Sequence, residues 1–265
     1  MSPTNSLGQA VADLRDGLRL SPLWSRVAIE QTVTRYRRTM LGPFWIASTT
    51  LATGLGLTLV FGALLGGDWR SNFPFVLAGL MSWALVGGLV TLGAGTFIGA
   101  AGLMQSQRLP LSFHVSLSMS RALIDFAHQL IAFWIIMAIV RLFPAPHWHL
   151  LVALPIALLT GFFLSFPIGM LATRYRDINY MVAFIMQTMF LLTPVFWRRA
   201  NLPAERRWLV DANPFAHLLE ILRQPLLGHP APLTSWIGSL LTLAFAIIAA
   251  VISLMLYRRR VVFWL

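Results

Sequence analysis

Ionisable side chains inside the long apolar blocks are the first candidates for chemistry in this sequence. Asp125 is the only acidic residue within the interior of such a block, and Arg121 precedes it by four residues. A carboxylate in a membrane-spanning helix is by default a functional group, for example a proton-coupling site. An Arg–Asp pair at i,i+4 near a helix end also satisfies itself locally. We favour this structural pair between Arg121 and Asp125, with His128 either joining it or packed beside it.

The sequence lacks the residues that a metal site or a catalytic nucleophile would need. His147 and His149 are two residues apart in a Pro-containing loop, but two His without carboxylates or Cys make a poor metal site. The sequence has no Cys, no HExxH and no GxSxG, and all 20 basic residues are Arg. Without Lys, the chain cannot supply a standard Walker A nucleotide site. We therefore assign no catalytic residue, metal or bound cofactor to this chain.

The composition indicates that these residues are carried by membrane helices. Hydrophobic residues make up 57% of the 265 residues and charged residues only 11%, and the mean hydropathy is +0.73. Soluble domains carry roughly 25% charged residues. The apolar residues come in blocks of about 20, the length of a transmembrane helix. The sequence therefore predicts an all-α polytopic membrane protein with about six transmembrane helices, at 44–65, 74–101, 115–142, 150–172, 180–197 and 233–257.

The formal net charge of +11 does not indicate nucleic-acid binding. Nucleic-acid binders concentrate their basic residues on one solvated face, whereas these Arg residues lie at the ends of apolar blocks, where they set topology. Their distribution predicts that both termini are cytoplasmic. The segment 198–232 is an exception, because it is rich in Arg although it is predicted to be external. Its Arg residues either attract anionic polymer or lipid headgroups, or they form a solvated surface. Its Arg residues are Arg198, Arg199, Arg206, Arg207 and Arg223.

Four segments flank or interrupt the predicted transmembrane domain 41–257. Residues 1–22 form a polar cytoplasmic N-terminus, whose start we expect to be poorly ordered. Residues 23–40 are predicted to form an amphipathic helix at the membrane interface, and Leu41-Gly42-Pro43 breaks the chain before the first span. The apolar stretch 213–228 is too short to cross and predicts a re-entrant or interfacial helix before the last span. Residues 258–265 form a cytoplasmic tail.

Glycines are frequent in the second predicted span and would let neighbouring helices approach closely. We expect ordinary packing there rather than a ligand site. The residues are Gly87, Gly88, Gly93, Gly95 and Gly99.

Four motifs in order resemble the permeases of ABC transporters that export O-antigen, capsule and teichoic-acid polymers. The first runs from Arg35 through Tyr36, Arg37 and Arg38 to Trp45, at the start of the first span. The others are Arg174-Tyr175-Arg176-Asp177-Ile178, Thr193-Pro194-Val195, and Asn213-Pro214-Phe215 continued by Arg223-Gln224-Pro225-Leu226-Leu227-Gly228. The likeness covers about residues 22–260, and the stretch Leu103–His114 is similar to the family only in position.

The resemblance implies a homodimer of this chain, two ATP-binding subunits that hold ATP and Mg, and a bacterial inner-membrane location. It also implies a polysaccharide or lipid-linked polysaccharide as substrate, with membrane lipids and further cell-envelope export proteins as other partners. Cytoplasmic elements would couple the partner's ATPase to the spans. We assign this role to Gln107, Arg108, Leu109, Pro110, Arg174, Tyr175, Arg176 and Asp177. Loop Arg residues that only set topology explain the same charges. The interface helix would include Trp24, Arg35, Tyr36, Arg37 and Arg38.

A path for a polysaccharide favours aromatic faces, which stack on the C–H faces of sugars while the chain slides. Binding must stay weak enough for transport, as in channels. Trp near span ends and Phe within spans also occur as interfacial belts and lipid contacts. The candidate residues for the path are Trp45, Phe61, Trp83, Phe190, Phe196 and Trp197.

Two other functional classes compete with the exporter. An ion-coupled secondary transporter is disfavoured because only Asp125 could titrate inside the membrane. An integral-membrane enzyme of lipid-linked glycan metabolism is disfavoured because the hydrolase motifs and a paired acidic motif are absent from the sequence.

Overall fold

The computed structural model describes residues 3–40, 42, 44–65, 68–142 and 144–265. Helix accounts for 83% of the structure, and the described part has no strand. This confirms the predicted all-α class. The helices are α1 (Pro3–Arg19), α2 (Ser21–Tyr36), α3 (Phe44–Leu65), α4 (Trp69–Gly99), α5 (Ala101–Ser106), α6 (Leu111–Ile139), α7 (Leu150–Arg174), α8 (Asp177–Leu192), α9 (Trp208–Asp211), α10 (Pro214–Leu226), α11 (Leu233–Tyr257) and α12 (Val261–Trp264).

Within the described part of the chain, five helices are long and apolar enough to cross a membrane, namely α3, α4, α6, α7 and α11. The sixth apolar helix, α8, has only 16 residues, which is about 24 Å of helix. The predicted segment 180–197 is longer because its last residues are not helical. Thr193 has ψ 137 and precedes Pro194, and a residue before proline disfavours the helical conformation.

The second span, α4, is the centre of the bundle. Its apolar window is 72% buried, the highest value of the five spans. It packs against α3, α6, α7, α8 and α10. Gly93 permits the close approach of α7, because a Cβ there would lie 2.5 Å from the Ser165 hydroxyl. This confirms the packing role predicted for one of the glycines, whereas Gly88 and Gly99 face open space.

The N-terminal region forms two helices. The segment predicted as a polar N-terminus is helical from Pro3 onward, and α2 begins at Ser21 and ends at Tyr36 rather than spanning 23–40. A hydrogen bond joins α1 and α2, since the Trp24 indole Nε1 donates to the Gly17 carbonyl at 3.1 Å. After α2, Arg37 and Arg38 are exposed. Of the predicted break, Gly42 has φ +55, and Leu41 and Pro43 lie outside the described residues.

Along its length α2 packs against the first half of α6. Ala28 of α2 is buried in a cluster with Phe113 and Leu117 of α6. At the end of α2, Arg35 Nη1 lies 3.3 Å from Asp125 Oδ2. Asp125 is therefore bound to a residue 90 positions away in the sequence.

The predicted local pair between Arg121 and Asp125 is wrong. Asp125 pairs with Arg35 of α2 instead. Arg121 also contacts α2, since it donates to Gln31 Oε1 at 3.3 Å. His128 stays outside this network, and its Nδ1 lies 2.7 Å from the carbonyl of Ile124. The one acid predicted inside a span thus fastens α2 to α6.

A buried carboxylate joins the two ends of the chain. Asp13 in α1 is 1% exposed. It accepts hydrogen bonds from the backbone N–H groups of Leu111 at 3.1 Å and Ser112 at 2.9 Å, which begin α6. The first N–H groups of a helix have no partner within the helix and favour negative charge. Arg258, just after α11, donates to the same carboxylate at 3.0 Å.

Candidate functional site

Five aromatic side chains from α3, α4, α8, α10 and the stretch after α8 form one connected row, which we call the aromatic row. Phe61 and Phe196 have ring centroids 4.7 Å apart, and Phe196 is 5.6 Å from Phe190. Phe190 is 5.9 Å from Trp83, which is 6.1 Å from Phe215. All five are half-buried, so the row offers ring surface outside the core.

A groove of about 490 Å³ runs along this row between α3, α4 and α8. Trp83 and Phe190 contribute rings to it. Hydroxyl and amide groups face them from Thr49, Thr50, Thr53, Thr91 and Gln187. Among the described residues that line the groove, none is ionisable. Rings beside neutral hydrogen-bonding groups suit an uncharged, hydroxyl-rich ligand.

A second cavity of about 310 Å³ continues the row toward the stretch after α8. Phe61, Phe196 and Trp197 line it, and the Trp197 indole donates to the Leu191 carbonyl at 3.3 Å. The structure therefore gathers five of the six aromatic residues chosen from the sequence. Trp45 is separate, since it is 50% exposed at the start of α3 and lines neither cavity. Phe215 was missed, although it belongs to the Asn213-Pro214-Phe215 motif.

The motifs after the fifth apolar block meet in one place, which we call the motif junction. The Asn213 amide donates to the Thr193 hydroxyl at 2.9 Å, and Asn213 Oδ1 accepts from the Phe215 N–H at 2.9 Å. Arg223 Nη1 donates to the Pro194 carbonyl at 2.5 Å. Gly79 of α4 makes this contact possible, because a Cβ there would lie 2.1 Å from the Val195 carbonyl oxygen. The junction fixes Phe196 and Phe215 in the aromatic row.

Arg223 is the charged centre of the motif junction. Its side chain is 4% exposed and forms an ion pair with Glu220, which is 20% exposed. Phe75 of α4 contacts two guanidinium groups, those of Arg198 at 4.0 Å and Arg223 at 4.1 Å from its ring centroid. Cation–π contacts of this length are attractive. In the sequence, Arg223 belongs to a family-like motif and to the predicted external segment, but no pattern there predicts that the side chain is buried in an ion pair.

The other arginines of the segment 198–232 are partly engaged within the chain. Arg199 forms a two-point pair with Asp211, with distances of 2.7 and 2.5 Å. The hydrogen bond from Arg199 holds the pKa of the Asp211 carboxyl below its usual value. Arg207 donates to the Leu202 carbonyl at 3.2 Å. These contacts shape the segment between α8 and α10.

The residues predicted to couple to an ATPase lie at the end of the bundle where α5 and α6 meet and where α7 is followed by α8. Gln107 and Arg108 are exposed, while Leu109 and Pro110 are half-buried. Arg174, Tyr175, Arg176 and Asp177 are all exposed in the turn between α7 and α8. We call these two segments together the docking end.

The C-terminal helix α12 packs beside the end of α7, within one segment of the docking end, and beside α5, which precedes the other segment. The Arg174 guanidinium lies 5.1 Å from the Tyr175 ring centroid and 5.4 Å from that of Trp264. Trp264 also lines a small cavity with Ala101 of α5 and Arg176. Helix α12 therefore contacts the turn between α7 and α8 directly.

The fold defines a class: a multi-pass membrane protein that is built of helices throughout the residues that the structure describes. The chain belongs to the ABC-2 type transporter family, whose model matches residues 23–227. It is therefore the membrane-spanning permease component of an ABC transporter, and the family implies an ATP-binding ABC subunit as partner. No match to a curated protein accompanies this family assignment.

Proposed function

We propose that this permease exports a polysaccharide, free or lipid-linked, such as O-antigen or capsule, across the bacterial inner membrane. The aromatic row and the uncharged groove beside it are the observation that carries the proposal. Sugars present apolar C–H faces and a rim of hydroxyls. Rings stack on the faces, and threonine and glutamine side chains exchange hydrogen bonds with the hydroxyls.

Because the described residues that line the groove carry no charge, we expect a polymer to slide along it rather than to bind tightly. A transported chain must enter and leave each binding position, so each contact has to be weak. Half-buried rings spaced 4.7 to 6.1 Å apart provide successive weak contacts along the row. A proton relay would require titratable groups, and the described residues that line the groove include none.

A homodimer completes the proposed path. In one copy the groove is open along α3 and α8, and a second copy would close it into a channel. The docking end, with Arg108, Arg174 and Arg176 exposed, would face the cytoplasm and the ATP-binding subunits, as would both termini. ATP and Mg would be bound by those subunits. Membrane lipids and further cell-envelope export proteins remain proposed partners.

Export by the assembled transporter tests the proposal. Inside-out vesicles that contain this chain and its ATP-binding subunit should accumulate labelled polysaccharide only with ATP. The chain alone should hydrolyse no ATP, since it lacks the Lys of a nucleotide site. Uptake driven by an ion gradient without the ATP-binding subunit would contradict the proposal, as would ATP-driven uptake of small molecules with no uptake of polymer.

Charge reversal at the docking end should uncouple the two subunits. Arg108→Glu and Arg176→Glu are expected to lower permease-stimulated ATP hydrolysis and export together, because like charges at a contact disfavour association. Insertion and abundance should stay unchanged, since both side chains are exposed. Arg70→Glu, at the start of α4, is the matched control. Normal export by both docking-end variants would remove the coupling assignment.

A further inference from the structure

A cavity of about 400 Å³ lies between α2, α4, α6 and α8, at the same end of α6 as the docking end. It is separate from the groove along the aromatic row, although Thr91 borders both. We call it the inner cavity. Its polar lining comes from four helices and consists of Gln31, Thr91, Thr96, His114, Ser118, Arg121 and Asn179.

Two polar groups in this lining are buried without a hydrogen-bond partner in the described part of the chain. His114 is 2% exposed, and neither of its ring nitrogens has a partner. Arg121 Nε is likewise buried and unpartnered, while its Nη1 donates to Gln31. Buried polar groups in native proteins are nearly always hydrogen-bonded. Two such groups on one cavity indicate a site built for a polar ligand.

The charge around the inner cavity selects an anion. Arg121 is the one permanently charged residue among the described residues that line it. The nearest acids do not line the cavity: Asp13 is bound to the start of α6 and to Arg258, and Asp125 is paired with Arg35 through Oδ2, while its Oδ1 has no hydrogen-bond partner among the described residues. A guanidinium forms strong charge-assisted bonds to oxyanions and matches the geometry of phosphate.

The remaining lining groups add donors for the same ligand. The Ser118 and Thr96 hydroxyls lie 3.2 Å apart on one wall, and the Asn179 amide lies near Gly95 on another. The Thr96 hydroxyl already donates to the Leu92 carbonyl at 2.8 Å, whereas a tetrahedral oxyanion can accept from the Ser118 hydroxyl of α6 and the Asn179 amide of α8 at once.

We propose that the inner cavity binds a phosphate group, held by Arg121 and His114 with hydroxyl and amide donors around it. The site is independent of the exported substrate. Two sources offer this chemistry, a phospholipid headgroup and free inorganic phosphate. Because α2 supplies Gln31 to the cavity, a bound phosphate group also fastens α2 to the bundle.

Calorimetric titration of the full chain in phosphate-free detergent tests the site. The probes are inorganic phosphate and dihexanoyl phosphatidic acid, each added alone. Binding of both probes supports the site. Binding of phosphatidic acid alone also supports the site and assigns it to lipid headgroups. Binding of inorganic phosphate alone supports the site and assigns it to the free anion. Binding of neither probe overturns the proposal.

Matched variants locate the binding. Arg121→Gln should weaken it about tenfold or more, the loss expected for a charge-assisted hydrogen bond, while Arg26→Gln, exposed on α2, should not change it. Gly95→Leu keeps Arg121 and His114 but fills the cavity, and a Cβ at Gly95 meets nothing closer than 3.8 Å. It should abolish binding, and Gly88→Leu on the same helix should not. Unchanged affinity in both Arg121→Gln and Gly95→Leu would overturn the proposal.

Discussion

Substitution of Arg223 by Met is expected to destabilise the permease by roughly 3–5 kcal/mol, the cost of removing one partner from a buried ion pair. The change leaves the Glu220 carboxylate without its cation and the Pro194 carbonyl without its donor. It also removes one of the two guanidinium contacts of Phe75. The measurement is the free energy of unfolding in an SDS titration, followed by tryptophan fluorescence.

Two further variants make this test specific. Arg206→Met, in the exposed part of the same segment, should change the free energy of unfolding little. Adding Glu220→Met to Arg223→Met should recover part of the loss, because the unpaired carboxylate is then gone. Equal stability of the Arg223→Met protein and the unsubstituted chain would show that the motif junction does not depend on this pair.

Replacing Trp83 with Ala is expected to slow polysaccharide export by roughly tenfold. Trp83 joins Phe190 to Phe215 in the aromatic row, so its loss interrupts the path. An aromatic contact contributes about 0.5–1.5 kcal/mol beyond its buried area, and about 1.4 kcal/mol corresponds to a factor of ten. The measurement is the ATP-dependent export rate, divided by the amount of permease in the membrane.

Trp83→Phe keeps a ring in the row and should retain most of the rate. Trp208→Ala removes a tryptophan that is 63% exposed and lies outside the row, so it controls for the loss of the residue type. If Trp83→Ala lowers abundance and export in equal proportion, the ring is a packing residue and the groove is not the path.

The sequence predicted well those features that depend on local pattern. Apolar blocks of span length became α3, α4, α6, α7 and α11, because a helix satisfies its backbone hydrogen bonds within its own segment inside a membrane. The aromatic candidates Phe61, Trp83, Phe190 and Phe196 were chosen by residue type, and the bundle brings them into contact. Their roles in transport stay predictions.

What the sequence could not predict depends on contacts between distant segments. Asp125 has an Arg four residues before it, yet it pairs with Arg35 because α2 lies along α6. In the sequence, nothing indicates that Arg223 is buried. In the structure, Glu220, Phe75 and the Pro194 carbonyl surround its guanidinium group. In both cases the side chain binds a partner from a different helix or segment, and no periodicity in the sequence predicts which partner that is.

The contact between Asp13 and Arg258 constrains the order in which the protein is completed. Their side chains meet across 245 positions, so Asp13 emerges from the ribosome long before its cation exists. Until translation of the last span ends, α1 can bind the start of α6 but not the C-terminal arginine. The docking end therefore reaches its final form only after synthesis is finished. A chain truncated within α11 would keep both segments of the docking end but would lack Arg258, the cation of Asp13, and Trp264, which contacts Arg174.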